Sequence, residues 1–208
     1  MGTRAAGTAA VSHDPPEGCP SIDSETLFRS YGAFVASFLH RLGVRAADLD
    51  DAVQDVFMAA HRKGGYRSGA ASPTTFLGRL ALDARRSVRR RNLRFWKAHG
   101  ESAASAVGGT DASGPEQALI LRQTTDQLQA ALEELEPEVR AVFLLFELEG
   151  ESCKAIAAAF GLKLGTVYSR LHHARTTFQA YLAQAERREQ KALLRHHGPR
   201  PDALTRKC

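Results

Sequence analysis

The sequence of 208 residues predicts an all-α protein with two small helical domains joined by a flexible linker. Apolar residues recur at steps of three and four between residues 21 and 185, which is the period of helices that pack on a core. No stretch alternates with a period of two for long enough to form a strand. Residues 98–115, "AHGESAASAVGGTDASGP", lose all periodicity and have the Gly, Ser and Ala content of a flexible linker.

The first domain is predicted over residues 21–97, after a tail at residues 1–20 whose Ala, Gly, Thr and Pro content predicts disorder. One amphipathic helix ends near Gly43, and a second runs from about Asp48 to Gly64. A third helix begins where Ser72 supplies an N-cap and Pro73 a first-turn proline. Its apolar residues occupy one face, and its other faces carry arginines.

The second domain is predicted over residues 116–185 and starts with an acidic helix, followed by a helix that Pro137 opens. The next stretch, "SCKAIAAAFGLKLGTVYSRLHHAR", reads as two short helices, with Ser152 as the N-cap of the first and Gly161 at the turn between them. Residues 186–208 carry a net charge of +4 and two prolines, so a basic disordered tail is predicted there.

The net charge of +5 is distributed unevenly along the chain. Residues 1–60 carry −4, residues 61–99 carry +10, residues 100–150 carry −8 and residues 151–208 carry +7. The block at 61–99 has eleven Lys or Arg against Asp83 alone, and such a surface repels itself unless a polyanion lies nearby. Nucleic acid is the simplest such partner.

The cysteines and the apolar runs argue against several protein classes. Cys19, Cys153 and Cys208 are not at ligand spacing, which predicts reduced thiols and neither a disulfide framework nor a zinc knuckle. No apolar run is long enough to span a membrane, and no secretion signal opens the chain. We therefore expect a cytoplasmic protein without membrane insertion.

The two short helices match a helix-turn-helix. Ala157 and Gly161 are small where two crossing helices approach, and the spacing to Val167 seats the second helix on the first. A plain helical hairpin is the alternative, but it does not require Arg and His on its outer helix. The outward face is predicted to contact duplex DNA, through Lys163, Thr166, Tyr168, Ser169, Arg170, His172, His173 and Arg175.

Two motifs carry a family resemblance. The stretch "LEGESCKAIAAAFGLKLGTVYSRLHHAR" resembles the fourth conserved region of the extracytoplasmic-function (ECF) RNA polymerase sigma factors. The stretch "DLDDAVQDVFMAAHR", residues 48–62, resembles their second conserved region. The resemblance covers roughly residues 25–95 and 120–183, and the two motifs in the family's order are more specific than either alone.

The resemblance implies a sigma factor that binds core RNA polymerase and directs promoter-specific initiation, without catalytic residues, metal or cofactor. The first domain would bind the clamp helices of the largest subunit through Asp51, Gln54 and Asp55, although a solvated acidic face is the alternative. The flap of the second subunit, promoter DNA and an anti-sigma factor are further implied partners.

The resemblance also divides promoter recognition between the domains. The second domain would read the −35 element as duplex, and the first would capture the −10 element as a melted strand, where cations follow the phosphates and an exposed surface receives a base. The residues expected at that downstream site are Tyr66, Arg67, Ser68, Arg79, Arg86, Arg89 and Arg90.

Four positions depart from the family's usual pattern. Tyr168 stands where a Lys is usual and Cys153 where a Tyr is frequent. Phe76 stands where a Trp is frequent, and Asp83 lies near a usual Asn. We expect Asp83 to pair with Arg79 or Arg86 across a helical turn.

The linker permits simultaneous contact with both elements. Elements about 20 base pairs apart lie roughly 70 Å apart, whereas about 18 extended linker residues reach roughly 60 Å and the domains add their own widths. A rigid compact arrangement could not span that distance. We expect the domains of the free protein either to pack together or to tumble independently.

Two other functions remain alternatives. A stand-alone helix-turn-helix regulator would explain the second domain but would leave the "DLDDAVQDVF" face and the linker unused. A metalloenzyme would need His172, His173 and Cys153, or His196, His197 and Cys208, as ligands. Adjacent residues on a helix point about 100° apart, so His172 and His173 cannot chelate one ion together.

Overall fold

The computed structural model describes residues 21–99 and 115–196, which form seven helices. These are α1 (Ser24–Arg41), α2 (Ala46–Arg62), α3 (Pro73–His99), α4 (Pro115–Glu133), α5 (Pro137–Glu147), α6 (Cys153–Phe160) and α7 (Leu164–His196). In the same ranges, the extended structure is limited to β1 (Ser21–Ile22) and β2 (Tyr66–Arg67), which pair antiparallel. The all-α prediction is confirmed. The short pairing of β1 with β2 was not predicted.

The first domain consists of α1, α2 and α3, which all pack on one another. Leu27, Phe38 and Val56 are fully buried between them, because the apolar stripes of the three helices converge. Ser72 caps α3 as predicted, with its Oγ accepting a hydrogen bond of 3.1 Å from the Thr75 backbone N–H. None of the described helices is long and apolar enough to cross a membrane.

The second domain consists of α4 to α7, with α7 packing on α4, α5 and α6. Pro137 lies in the first turn of α5, as predicted. Helix α7 continues beyond residue 185, where the sequence predicted the basic tail to begin. The reason is local: Glu, Arg, Gln, Lys and Ala after residue 185 favour a helix, and the first proline is Pro199.

Three of the residues predicted as linker lie in helices, because α3 extends to His99 and α4 begins at Pro115. The rest of that linker, the N-terminal tail at residues 1–20 and residues 197–208 lie outside the described residues. His197 and Cys208, two of the metal ligands weighed above, lie outside them as well.

The two domains pack directly against each other, with α3 lying on α5 and α6. Their buried apolar residues form one continuous cluster. At the contact, a Cβ built on Gly78 would stand 3.0 Å from Leu145 Cδ2, so the absence of a side chain on Gly78 lets α3 approach α5. Packing together is one of the two arrangements that the sequence predicts for the free protein.

Candidate nucleic-acid interface

The helix-turn-helix is built as the sequence predicts. The Ser152 Oγ accepts a hydrogen bond of 3.1 Å from the Ala155 N–H and caps α6. Gly161 ends α6 in the left-handed conformation, with φ of 63° and ψ of 36°. Val167 and Leu171 are buried, so α7 packs on α6 through one side and leaves its other side free for a ligand.

The outward face of α7 presents most of the side chains predicted to contact duplex DNA. Tyr168 is 55% exposed, and it projects an aromatic ring where a helix in the major groove would meet base edges. Thr166 and Arg170 are partly exposed. Of the residues predicted to contact duplex DNA, the exposed ones are Lys163, Tyr168, Ser169, His172, His173 and Arg175.

Arg175 differs from the others because it is engaged within the second domain. Its Nε lies 2.7 Å from Glu147 Oε1, and its guanidinium lies 5.3 Å from the centre of the Phe146 ring. Both partners belong to α5, so the side chain is held beside that helix. The prediction that Arg175 contacts DNA would require this ion pair to break.

The cationic face of α3 contains the arginines predicted for the melted strand. Asp83 pairs with both Arg79 (3.4 Å) and Arg86 (3.0 Å), which confirms the expected pairing across a helical turn. Arg89 and Arg90 are exposed near the C-terminal half of the helix. Asp83 therefore neutralises part of the charge of two arginines and leaves the cationic surface strongest towards Arg89 and Arg90.

Arg86 also contacts the second domain. Its Nη2 lies 2.5 Å from Glu138 Oε1 on α5. The hydrogen bond from Arg86 holds the pKa of the Glu138 carboxyl below its usual value, and burial opposes it. The same hydrogen bond raises the pKa of the Arg86 guanidinium. Sequence reasoning missed Glu138, because a carboxylate on a core helix gives no signal of what lies opposite it.

The loop before α3 differs from the prediction at Tyr66. This side chain is only 7% exposed, its hydroxyl donates a hydrogen bond of 2.6 Å to the Ala71 carbonyl, and its ring packs against Phe76. Tyr66 thus holds the loop onto α3 and is not available to stack on an unpaired base in this conformation. Arg67 is exposed and Ser68 partly exposed beside it.

Two arginines that sequence reasoning did not single out converge on the end of α1. Arg85 Nε donates a hydrogen bond of 2.6 Å to the Leu42 carbonyl. Arg140, 3% exposed, donates to the Arg41 and Leu135 carbonyls over 3.4 and 3.2 Å. Burial, with repulsion from Arg85, lowers the pKa of Arg140 to about 10. Cations suit a helix C-terminus, where carbonyls lack intrahelical partners.

The acidic face of α2 agrees with the prediction in part. Asp51 and Gln54 are exposed, but Asp55 forms an ion pair with Arg91 over 3.3 Å. Beside Gln54, a groove of about 720 Å³ lies between α1 and α2. Phe28 (53% exposed) and Met58 (48%) contribute to its apolar lining, a feature that charge patterning could not reveal.

Within the described residues, no group of three or more His, Cys, Asp or Glu side chains could hold a metal ion. His172 and His173 are both exposed on α7. Cys153, the cysteine in the described range, is a free thiol in the first turn of α6.

Comparison with known proteins defines the class first. Residues 27–95 match the family model of sigma-70 region 2, and residues 125–178 match that of sigma-70 region 4. The chain is therefore a protein of the sigma-70 type, with the helix-turn-helix inside region 4.

Sequence relatives narrow the class. The ECF RNA polymerase sigma factor SigL of Mycobacterium tuberculosis is 32% identical over 163 residues, covering 71% of this chain and 82% of that protein. SigE of Mycolicibacterium smegmatis is 35% identical over 173 residues, covering 79% of this chain but 63% of that protein. The chain belongs to the ECF RNA polymerase sigma factors, a family that acts in transcription initiation.

Solved structures share the fold. The sigma factor RpoE of Bartonella quintana, in complex with the anti-sigma factor NepR, superposes with a TM-score of 0.59 at 21% identity, covering 76% of this chain and 96% of that one. CnrH, in complex with the cytosolic domain of CnrY, superposes with a TM-score of 0.53 at 22% identity, covering 77% and 88%.

Proposed function

We propose that this protein binds core RNA polymerase and directs promoter-specific initiation, reading the −35 element as duplex through α7 and the −10 element as melted strand through α3 and the preceding loop. Its site of action is then the cytoplasm. An anti-sigma factor is a further proposed partner, as NepR is for the sigma factor RpoE of Bartonella quintana, a protein of similar fold.

The observation that carries the proposal is the presence, in one chain, of three separate surfaces of suitable chemistry. The outward face of α7 carries hydroxyl, aromatic, imidazole and basic groups, which can bond base edges and phosphates. The face of α3 offers Arg89 and Arg90 to a phosphate backbone. The α2 face, with Asp51 and Gln54 beside an apolar groove, suits a protein partner.

The chemistry at the upstream element depends on Tyr168. An aromatic ring replaces the mobile cation that the family usually has there, and an apolar ring edge can contact a thymine methyl group in the major groove. We propose that this exchange shifts the preferred bases at one position, while Lys163 and Arg170 contact phosphates.

The test is reconstituted transcription from the purified chain and core polymerase on a promoter library. The proposed function requires initiation at a defined set of promoters with two shared elements. A stand-alone regulator would neither co-purify with core polymerase at modest salt nor confer initiation, and that outcome would refute the proposal.

Three variants test which surface contacts core polymerase and which contacts DNA. Each variant has a control that makes the same change elsewhere. Asp51→Lys should weaken co-purification with core polymerase, whereas Asp126→Lys on α4 should not. Arg89→Ala should slow open-complex formation and reduce its salt dependence, in contrast to Arg29→Ala on α1.

The third variant tests the upstream contact. Tyr168→Ala should change the preferred −35 sequence, because a base contact carries sequence information and a phosphate contact does not. Gln179→Ala, exposed three turns further along α7, should leave that preference unchanged. If Tyr168→Ala leaves the preferred −35 sequence unchanged, Tyr168 does not contact a base of that element.

A further inference from the structure

The second domain covers part of the α3 face that the proposed function assigns to the melted strand. At the start of α3, the Ser72 and Thr74 hydroxyls both donate hydrogen bonds to the Glu151 carboxylate, which follows α5. One turn further, Arg79 lies 5.7 Å from the centre of the Phe160 ring of α6. Two turns beyond that, Arg86 binds Glu138.

The loop before α3 borders the second domain but is not buried by it, since Arg67 and Gly69 are exposed. A cavity of about 380 Å³ lies between this loop and α6, with Arg67 and Gly69 on one side and Ala158 on the other. The covered stretch therefore runs from Ser72 to Arg86. Arg89 and Arg90 remain exposed beyond it.

The covering groups have the chemistry of the ligand that they exclude. A carboxylate, like a phosphate, accepts charge-assisted hydrogen bonds from guanidinium groups, and hydroxyl donors serve either anion. The N-terminus of α3 also favours a negative charge at the Ser72 and Thr74 hydroxyls. Glu138 and Glu151 thus satisfy donors that a nucleic-acid backbone would otherwise satisfy.

The charge of the whole chain agrees with this contact. Residues 61–99 carry +10 and residues 100–150 carry −8, so α3 and the neighbouring acidic segment attract each other. The ion pair of Arg86 with Glu138 is partly exposed, with 37% and 31% of the two side chains accessible. An exposed pair is screened by salt and is readily exchanged for another anion.

We propose that this packed arrangement is an autoinhibited form, in which Glu138 and Glu151 stand in for phosphates of the melted strand. The inference rests on the proposed function, because it takes α3 and its loop as the downstream site. Opening of the domain contact uncovers that site and frees the two domains to reach promoter elements that one compact body cannot span. Promoter DNA then competes with the second domain for the same surface of α3.

The first experiment measures binding of a fluorescent single-stranded oligonucleotide to the free full-length chain at fixed salt. Glu138→Gln with Glu151→Gln should tighten binding at least fivefold, because these changes weaken the domain contact. Glu134→Gln with Glu136→Gln makes the same charge change at exposed positions of the same domain and should tighten it less than twofold. Equal effects of the two pairs would overturn the proposal.

A steric variant tests the same contact without a change of charge. Gly78→Leu places a side chain where even a Cβ would be 3.0 Å from Leu145 Cδ2. It should enlarge the radius of gyration measured by X-ray scattering and tighten oligonucleotide binding. An enlarged protein that binds no more tightly than the parent would refute masking as the cause.

The second experiment joins the two domains covalently at a point that lies away from the DNA-facing surfaces. Gln129 on α4 donates a hydrogen bond of 3.3 Å to the His40 carbonyl on α1, so His40→Cys and Gln129→Cys can be joined by a short reducible thiol linker. The background replaces Cys19, Cys153 and Cys208 with Ser. Joined protein should lose promoter-directed initiation at least tenfold, and reduction of the linker should restore it.

Failure of the inference and of the proposed function are distinguishable here. Joined protein that initiates as well as reduced protein would overturn autoinhibition while the proposed function stands. A cysteine-free parent that cannot initiate at all would refute the proposed function and, with it, this inference.

Discussion

At the scale of single residues, Arg140 shows how a buried charge is satisfied without an acidic partner. Its guanidinium donates to the Arg41 carbonyl at the end of α1 and to the Leu135 carbonyl between α4 and α5, and its Nε has no hydrogen-bond partner in the described structure. A planar fork reaches both carbonyls, whereas an ammonium is a single point. The residue therefore links the two domains through geometry as well as charge.

Arg140→Lys should lower the free energy of unfolding by about 1–2 kcal/mol, because it keeps the charge but loses a hydrogen bond to one carbonyl. Chemical denaturation of the full chain measures the change. Arg29→Lys, in an exposed pair with Glu25, is the matched control and should change stability by less than about 0.5 kcal/mol. Equal losses in the two variants would show that the fork geometry of Arg140 is unimportant.

Gly65 and Gly161 illustrate two different reasons why a position in the chain requires glycine. Both have positive φ, +82° and +63°, but a Cβ on Gly65 would lie 2.3 Å from the Ile22 carbonyl oxygen, while nothing lies within 4 Å of one on Gly161. Gly161→Ala should cost roughly 1–2 kcal/mol of backbone strain. Gly65→Ala should cost about 1–3 kcal/mol more. Similar unfolding free energies for the two variants would contradict this distinction.

Sequence reasoning succeeded where a residue acts on its own backbone. Ser72, Ser152 and Gly161 were predicted as caps or turn residues, because capping depends on a side chain and the next three or four residues. It failed at Tyr66, since an aromatic beside glycines in a loop looks exposed. The partners that bury it, Ala71 and Phe76, become neighbours only when the loop folds onto α3.

At the scale of elements, α6 is short enough for its cap to matter. It has eight residues, so unpaired terminal N–H groups form a large share of its backbone donors. Ser152→Ala should lower stability by about 1 kcal/mol, since the Ala155 N–H loses its acceptor. Ser152→Asp supplies another acceptor and should retain wild-type stability. Denaturant unfolding distinguishes the two variants, and an unchanged free energy of unfolding in Ser152→Ala would show that the cap does not stabilise α6.

The cap of α1 gives a pH dependence of known sign. Asp23 accepts a hydrogen bond of 2.8 Å from the Thr26 N–H, and this bond lowers the pKa of its carboxyl from the ordinary 3.8. A carboxyl with a lowered folded-state pKa stabilises the fold above its unfolded pKa and loses that contribution as the pH falls through the folded value. Its contribution should therefore be constant near neutral pH and disappear in acid.

Carbon NMR of the Asp23 carboxyl should show a titration midpoint below the ordinary value. Asp23→Asn keeps a capping oxygen but cannot titrate, so its stability should fall less steeply with acid than that of the wild type. An Asp23 midpoint at or above the ordinary value would contradict the assigned role of the Thr26 hydrogen bond.

At the scale of the whole molecule, the sequence does not indicate how the two predicted domains contact each other. The opposite charges of residues 61–99 and 100–150 were visible, yet charge totals do not indicate which carboxylate meets which arginine. The contacts of Glu138 and Glu151 depend on how α5 and α6 lie on α3, and the absence of a side chain on Gly78 permits the close approach of α3 and α5. Such a long-range arrangement leaves no periodic signal in the chain.

The domain contact combines a polar part that salt screens with an apolar part that salt does not weaken. The Debye length falls from about 10 Å at 0.1 M to about 3 Å at 1 M salt, so the partly exposed pair of Arg86 and Glu138 should contribute less at high salt. The packing of Leu145 against Gly78 should persist. Raised salt should therefore weaken the domain contact only in part, because the apolar packing remains.

X-ray scattering between about 0.1 M and 1 M salt tests whether the domain contact has a polar part that salt screens and an apolar part that persists. At 0.1 M salt, Glu138→Gln with Glu151→Gln should give a larger radius of gyration than the wild type, and the difference should shrink towards zero near 1 M, where the lost charges are screened in the wild type as well. Glu134→Gln with Glu136→Gln should match the wild type throughout. A difference that persists undiminished at 1 M salt would mean that hydrogen bonds insensitive to screening, rather than charge attraction, hold the second domain on α3.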